Sequence, residues 1–405
     1  MKKNISLEEA QDLLLSRCPQ IEMEHVRMID ALGRVLSKDL RAEGCIPPFN
    51  RSPYDGYTFR SEDAKEATRD HPVVLEVIEE VPAGHAPKSK VSNGKAVKIL
   101  TGAPIPEGAD AVIKYEETKA KDDYISIFRS IKTGENIVPA GEDVAVGDMI
   151  ADKGTVINPP VMGLMASLGI TEVPVYKRPR IAIVSTGDEL LDAAKPLTPG
   201  KIRNSNSYTL LGYIKSIGAE PVMIGIAKDK AEEVASLIQE GLDKADMVIT
   251  TGGVSVGDYD VVGRSINLIG AETLYWKINI KPGSPTLAAV KDGKVILGLS
   301  GNPAAAMIIF QLLGFPYIKK LAGKVDYLSP KLEVVLKNDF RKSSPGRRFL
   351  RGKLVFEEGI IYIDNTGGQE NGVLSSLNGS NLLAEIPAGS GPIKSGEKLT
   401  AYLIK

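Results

Sequence analysis

The sequence predicts a multidomain α/β plus β protein, and three observations carry that prediction. Its 405 residues exceed what one hydrophobic core normally covers. Between residues 178 and 328, apolar runs of strand length alternate with amphipathic helical patterns, which argues a parallel sheet covered on both faces. The flanking stretches carry short β-branched runs broken by glycine and proline, the mark of smaller β-rich units.

The bulk chemistry narrows the function classes. Hydrophobic residues at 43% and charged residues at 25% are those of an ordinary globular chain. Lysine plus arginine (50) nearly cancels aspartate plus glutamate (51), so neither duplex nucleic acid nor an anionic membrane is an expected partner. Two cysteines, Cys18 and Cys45, form no CxxC pair, and His25, His71 and His85 are scattered, so neither a disulfide framework nor zinc is expected. The opening MKKNISLEEAQDLLL places acids within its apolar stretch and is unlike a signal peptide. No apolar run is read as approaching the roughly 20 residues that span a bilayer. The chain reads as cytoplasmic.

Ser6-Leu7-Glu8-Glu9 is a capping-box pattern opening a helix with Leu7, Ala10, Leu13, Leu14 and Cys18 at helical spacing, which Pro19 stops. Residues 47–140 hold short strands such as Val73–Ile78 and Ala111–Ile113. Residues 141–177 read as helical and turn-like around VMGLMASLGI and are expected to pack back on the first helix, making one discontinuous domain of 1–46 and 141–177. In the third domain, residues 178–328, strands at Ile181–Ser185, Pro221–Ile224 and Met247–Ile249 alternate with helices through Leu210–Ile217 and Ala231–Ile238. The last domain, residues 329–405, shows strands at Leu332–Val335, Ile360–Ile363, Leu382–Ile386 and Leu399–Ile404 without a long helical period, and reads as a small β-barrel or sandwich.

Chemistry concentrates at the strand ends of the third domain, where ligands of parallel sheets lie. Thr250-Thr251-Gly252-Gly253 ends a buried strand and leads through Ser255 and Gly257 to Asp258 and Asp260. Glycines there admit backbone N–H groups close to an anion, and a following helix adds its positive end; a tight strand-to-helix turn needs the same glycines. Asp258 and Asp260 would repel a bare phosphate and make better sense with a divalent cation between. Val184–Glu189 repeats the grammar with Gly187, Asp188 and Glu189. Gly298–Pro303 repeats it again, with Asn302 before a proline suited to the first helical position. Lys277 and Lys281 stand at i and i+4, which share one face of a strand, and Pro282-Gly283 would end that strand at a loop mouth; a solvated edge is the plainer reading. Pro47–Tyr57 is a loop dense in turn-formers and polar groups, either functional or a linker. Thr101–Pro104 and Gly141–Asp143 carry little weight alone. No nucleophile-elbow set, Walker A loop or GxGxxG sequence is present.

Taken in order, PPFNRSPYDGYT, TGAPIPEGADAVI, GEDV at 141–144, RPRIAIVSTGDEL, TTGGVSVGDYD, KINIKPGSP, GLSGNPAAA and GVLSSLNGSNLL resemble the molybdopterin molybdenumtransferase (MoeA) family, related to the E domain of gephyrin. The resemblance runs over essentially the whole chain. It implies four domains: an elongated first domain, a β-rich second, a third resembling molybdopterin adenylyltransferases and a C-terminal β-barrel. It implies a homodimer whose cleft lies between the third domain of one subunit and the second of the other, with a molybdopterin adenylyltransferase as a partner. Family members use adenylylated molybdopterin and molybdate with a divalent cation, here Mg²⁺, and release AMP and molybdenum cofactor.

Carried over by motif, the resemblance implies Asp55, Thr101, Asp143, Glu189, Asp229 and Asp260 in activity, with Glu189 and Asp260 toward the metal. It implies Gly187, Asp188, Gly252, Gly253, Ser255, Gly257 and Asn302 around the cofactor. Lys277 and Lys281 match the basic pair near molybdate and the pterin phosphate, and Arg347, Arg348, Arg351 and Ser375 are further anion candidates. Ser284, Ser300, Ala305 and Tyr54 depart from residues the family often has at those places. Two other functions fit parts of the chain: an adenylyltransferase acting on molybdopterin, from the third domain alone, and a gephyrin-like scaffold. An intact set of acids and lysines argues against the scaffold.

Overall fold

The computed structural model describes residues 2–19, 21–254, 261–365 and 367–404. Its central sheet has seven strands in the order Lys2–Ile5, Glu272–Ile278, Leu287–Lys291, Lys294–Leu299, Met247–Thr251, Arg180–Thr186 and Glu220–Ala227. The last four are mutually parallel, whereas Leu287–Lys291 runs antiparallel to both neighbours. The exception has a local cause. Asp292 and Gly293 both take positive φ (51° and 76°) between the paired Lys291 and Lys294, the two-residue turn that closes a hairpin.

Alternation along the strands explains why both faces are covered. Ile181, Ile183 and Ile249 pack on one side against Leu210 and Ile214 of the Ser205–Ser216 helix and against Met307 and Phe310. Ala182, Val184 and Val248 pack on the other against Val234, Ile238 and Leu242 of the Ala231–Lys244 helix and Val262 and Ile266 of Val261–Leu268. Each large apolar side chain so buried contributes about 1.5–3 kcal/mol. The helix Pro303–Leu321 is 19 residues long with mean hydropathy 1.3, so by length and composition it suffices to cross a membrane, contrary to the reading of the sequence. It is 89% buried within the protein and is apolar all round because it is a core helix.

Residues 2–15 join this central domain and not the first one. Ser6 and Glu9 form the capping box reciprocally (3.1 and 2.9 Å), and the helix Leu7–Leu15 buries Leu7, Ala10 and Leu14 in the central core. Lys2–Ile5 pairs in parallel with Glu272–Ile278. The helix ends at Leu15, before Pro19 is reached.

The remaining first-domain segments meet each other. Met23–Arg27 pairs with Glu172–Tyr176, and Ala31 and Leu36 share a core with Ile157, Met165 and Val173. The 141–177 stretch thus packs on residues 23–41 instead of on the first helix, and it contributes two strands, Met149–Ala151 and Glu172–Tyr176, beside the helix Pro159–Ser167. The second domain is a six-stranded sheet in the order Ala111–Lys114, Gly56–Phe59, Lys95–Ile99, Val73–Val81, Tyr124–Ile127 and Thr118–Lys121. The C-terminal domain is a closed five-stranded barrel that includes Arg348–Glu357, a strand the sequence pattern did not reveal.

Candidate functional site

The strands Arg180–Thr186, Met247–Thr251 and Lys294–Leu299 are neighbours, so their carboxyl ends lie side by side. A pocket opens there, lined by Thr186, Glu189, Asn204, Asn206, Thr251, Gly252, Gly301 and Pro303 among others. Beneath it lies a buried hydroxyl and amide network. Ser185 Oγ is 2.7 Å from Ser207 Oγ and 2.9 Å from Thr251 Oγ1, while Asn204 Nδ2 donates to both serines at 3.1 and 2.8 Å. Asn206 Nδ2 donates to the Gly301 carbonyl at 2.9 Å, tying the helix start to the third loop. The hydroxyl network holds the pocket floor in one arrangement, while Asn206 Oδ1 and the Thr250 hydroxyl stay buried without a partner among the described residues.

Three acids gather at the mouth. Thr186 Oγ1 donates to Asp229 Oδ1 at 2.8 Å, and the Asp188 and Asp229 backbone N–H groups each donate to the other's carboxylate at 3.4 Å. Glu189 folds its carboxylate over Gly187, where an added Cβ would lie 2.6 Å from Oε2. The structure therefore brings together Gly187, Asp188, Glu189, Asp229, Gly252 and Gly253. Gly252 has φ +89°, and a Cβ on it would stand 2.2 Å from the Thr186 carbonyl oxygen. Glycine is required here so that two strand tips can touch. Ser255, Gly257 and Asp260 lie outside the described residues.

Two sequence arguments need correction. The helix start at Asn302-Pro303 does not offer its N–H groups to an anion, because those of Ala304 and Ala305 both donate to the Asn371 carbonyl of the barrel domain (3.0 and 3.4 Å). Lys277 and Lys281 do not share a strand. Glu272–Ile278 ends before Lys281, Lys277 has φ +67°, and its ammonium sits over the Trp276 ring at 4.4 Å. Lys281 is exposed and is placed through its backbone, with its N–H on the Arg347 carbonyl and its own carbonyl accepting from Phe349, both at 2.8 Å.

The three arginines singled out in the barrel are each bonded within the protein, although Arg351 Nη1 is buried without a hydrogen-bond partner among the described residues. Arg347 donates to both Glu8 oxygens, to Glu385 Oε2 and to Tyr402, so its two amino groups are engaged within the protein. Arg348 is buried over the Phe340 ring and donates to Ser344. Arg351 is fully buried and donates to Ser376 Oγ and to the carbonyls of Gly368 and Glu370 (2.8, 3.0 and 3.1 Å), fixing the loop whose Asn371 caps the helix. Burial pushes the Arg348 and Arg351 pKa values down, against a weaker pull from Glu370 on the latter. Ser375, in the turn Leu374–Leu377, is exposed. The Ser376 and Asn371 partners went unread because they depend on contacts distant in sequence, whereas Ser344 is only four residues from Arg348 and was overlooked.

In the second domain, Thr101 donates through its backbone and hydroxyl to one oxygen of Asp55. Asn50 and Arg51 hold the neighbouring turns. Ala140 N–H donates to Asn50 Oδ1 (2.8 Å), Ile105 N–H to the Asn50 carbonyl (2.9 Å), and Arg51 exchanges backbone bonds with Val138. Asp143, exposed in the adjoining turn, donates its N–H to the Ile46 carbonyl. Asp55 and Thr101 are thus in contact, whereas Asp143 is held separately, on the 141–144 turn that pairs with Ile46. The Tyr54 ring lies under Lys114 Nζ at 4.0 Å.

A mostly parallel sheet with a polar pocket at its strand ends places that pocket where small-molecule ligands of such domains bind, and residues 182–320 match the family model described as a probable molybdopterin binding domain. Residues 5–169 match the MoeA N-terminal region (domain I and II), and residues 333–404 match the MoeA C-terminal region (domain IV). The chain is 38% identical over 390 residues to the molybdopterin molybdenumtransferase of Bacillus subtilis, covering 95% of this chain and 91% of that one. It is 35% identical to the enzyme of the same name from Staphylococcus aureus, covering 99% and 96%. A crystal structure of the MoeA protein from Pyrococcus horikoshii superposes with a TM-score of 0.83 at 34% identity, covering 99% of this chain and 100% of that one. The chain belongs to the MoeA family of molybdopterin molybdenumtransferases.

Proposed function

We propose that this enzyme inserts molybdenum from molybdate into adenylylated molybdopterin, releasing AMP and molybdenum cofactor. The observation that carries the reading is the pocket at the three strand ends, with Glu189, Asp188 and Asp229 at its mouth and Lys281 on the segment beyond Glu272–Ile278. The buried hydroxyls keep the pocket floor in place beneath the substrate, and Lys277 and Lys281 supply positive charge for its anionic oxygens. Asp229, fixed by Thr186, and Asp55, fixed by Thr101, are placed to orient a water or a proton on the reacting phosphate.

The acids also suit Mg²⁺. Among the described residues no three Asp, Glu, His or Cys side chains form a closed cage. Mg²⁺ typically takes only one or two protein carboxylates and completes its shell with water and substrate phosphates, so Glu189 on the pocket wall fits that demand, and the motif alone assigns Asp260 to it. Bound there, the ion would shield phosphate charge. The reading extends to a cytoplasmic homodimer in which Asp55, Thr101 and Asp143 face the pocket of a second copy.

The test incubates purified protein with adenylylated molybdopterin, Mg²⁺ and molybdate and follows AMP. Release that depends on Asp229, Asp260 and Lys281 is the expected result. No AMP, or Asp260→Asn and Lys281→Ala behaving as wild type, overturns the reading. Transfer of labelled adenylyl groups from ATP to molybdopterin would instead identify an adenylyltransferase.

A further inference from the structure

Lys281 presents an unusual problem of placement. Its side chain is exposed, and among the described residues its ammonium has no hydrogen-bond or ion-pair partner, so only its backbone sets where the charge stands. That backbone is gripped from two sides. Asn279, two residues earlier, donates its N–H to the Ile5 carbonyl (2.8 Å) and its side chain to the Asn4 carbonyl (2.6 Å). On the other side Lys281 exchanges two 2.8 Å bonds with Arg347 and Phe349 of the barrel domain. The segment is therefore correctly placed only while the amino-terminal strand and the barrel keep a fixed relation.

The side chain of Arg347 joins those same two bodies. One amino group lies 2.8 Å from both oxygens of Glu8, in the first turn of the helix that follows Ile5. The other donates to Glu385 Oε2 at 2.8 Å and to the Tyr402 hydroxyl at 3.2 Å, and Nε faces Glu385 Oε1 at 2.8 Å. The guanidinium stacks over Phe349, 5.4 Å from the ring centre, and its side chain is 18% exposed. Burial works against the charges here, but the paired bonds outweigh it, holding Glu8 below the usual carboxylate range and Arg347 above its own. A planar fork is needed to span two carboxylates at once, which a lysine's point charge does not do. Without it, Glu8 and Glu385 would face each other as like charges across the junction.

We infer that Arg347 is a positioning residue for Lys281: its guanidinium locks the amino-terminal helix to the barrel while its own carbonyl holds the Lys281 N–H. The inference rests on the reading of Lys281 as an anion-binding residue only for its effect on turnover, since the placement itself is observable without substrate.

The experiment compares full-length Arg347→Ala, Arg347→Lys, Glu8→Gln and Lys281→Ala with wild type by amide hydrogen exchange and by AMP release at varied molybdate. Arg347→Ala should speed exchange in the peptide spanning residues 277–286 by about tenfold or more while residues 111–127 stay unchanged. It should raise the molybdate KM about tenfold with kcat within about twofold, the signature of lost binding without lost chemistry. Arg347→Lys should recover part of both effects. Glu8→Gln, which keeps the Glu385 half, should show the same pattern more weakly and serves if Arg347→Ala does not fold. Unchanged exchange at 277–286 in Arg347→Ala and Glu8→Gln overturns the inference, as does faster exchange in every domain alike. Faster exchange confined to 277–286, with Lys281→Ala leaving the molybdate KM at the wild-type value, supports the clamp and refutes the anion-binding reading of Lys281.

Discussion

Thr101 gives both its backbone N–H and its hydroxyl to a single carboxylate oxygen of Asp55, at 2.7 and 2.9 Å. The backbone bond, and after it the hydroxyl bond, holds the Asp55 carboxyl below the ordinary value of 3.8. A carboxyl so held is charged throughout the neutral range. Because its folded-state pKa is depressed, whatever it adds to stability is complete above 3.8 and is lost as pH falls through the lower, folded value. A carbon-13 titration should show the Asp55 midpoint below 3.8 in wild type and moved upward in Thr101→Val, which keeps only the backbone bond. Asp55→Asn should lower kcat about a hundredfold or more if this group handles a proton in the reaction. Equal kcat in both proteins would remove Asp55 from that role.

Gly252 and Gly270 separate two costs of positive φ. Both lie in that region (+89° and +69°), but a Cβ on Gly252 meets the Thr186 carbonyl at 2.2 Å, whereas nothing lies within 4 Å of one on Gly270. Gly270→Ala should therefore cost about 1 kcal/mol of unfolding free energy, from the backbone alone. Gly252→Ala should cost about 2 kcal/mol or more, because strand tips must also separate. Urea denaturation read by two probes measures both. Equal costs would mean that the loop yields without disturbing the Thr186 strand.

Thr186 is buried, and its hydroxyl aims Asp229. Thr186→Val keeps the shape and deletes the bond. The unfolding free energy should fall by only about 1 kcal/mol, while AMP release should slow by about tenfold as Asp229 loses its orientation. Wild-type turnover in Thr186→Val, set against a slow Asp229→Asn, would show that Asp229 needs no such support.

Burial pushes the Cys18 thiol up to about 11 from 9.0, with Lys320 pulling weakly the other way. Near neutral pH this leaves about a hundredfold less thiolate than an unshifted thiol would have. Alkylation of Cys18 followed by mass spectrometry should be correspondingly slow and should rise about tenfold per pH unit below that pKa. A rate like that of a free thiol peptide would show that the site opens readily.

What could be read in the sequence was what is decided locally. The Ser6–Glu9 capping box spans one helical turn, and Ile181–Val184 declares a doubly covered strand through its own run of apolar residues. Asp292-Gly293 was legible as a hairpin signal and went unused. Arg347, Arg348 and Arg351 misled because an arginine in a sequence looks like a free charge. The partners of Arg347 and Arg351, among them Glu8, Glu385 and Ser376, come from other segments, and the strand Arg348–Glu357 buries five consecutive residues instead of alternating. The Asn371 carbonyl that fills the Asn302-Pro303 helix start has no side-chain signal at all. Lys2–Ile5, four residues beginning with two lysines, has nothing that marks it as a strand until Glu272–Ile278 is beside it.

That last pairing sets an order of events during synthesis. Lys2 leaves the ribosome well ahead of its neighbour Tyr275, which follows only on the order of tens of seconds later at about 5–20 residues per second. Through that interval the apolar face of Leu7, Ala10 and Leu14 has no native surface to cover it, while the domain formed by residues 56–127 already has every strand it needs. The nascent chain thus carries an uncovered amphipathic helix that a chaperone is suited to hold. The Lys2–Ile5 edge of the central sheet is made before every other strand of that sheet and must wait for Glu272–Ile278 to be put in place.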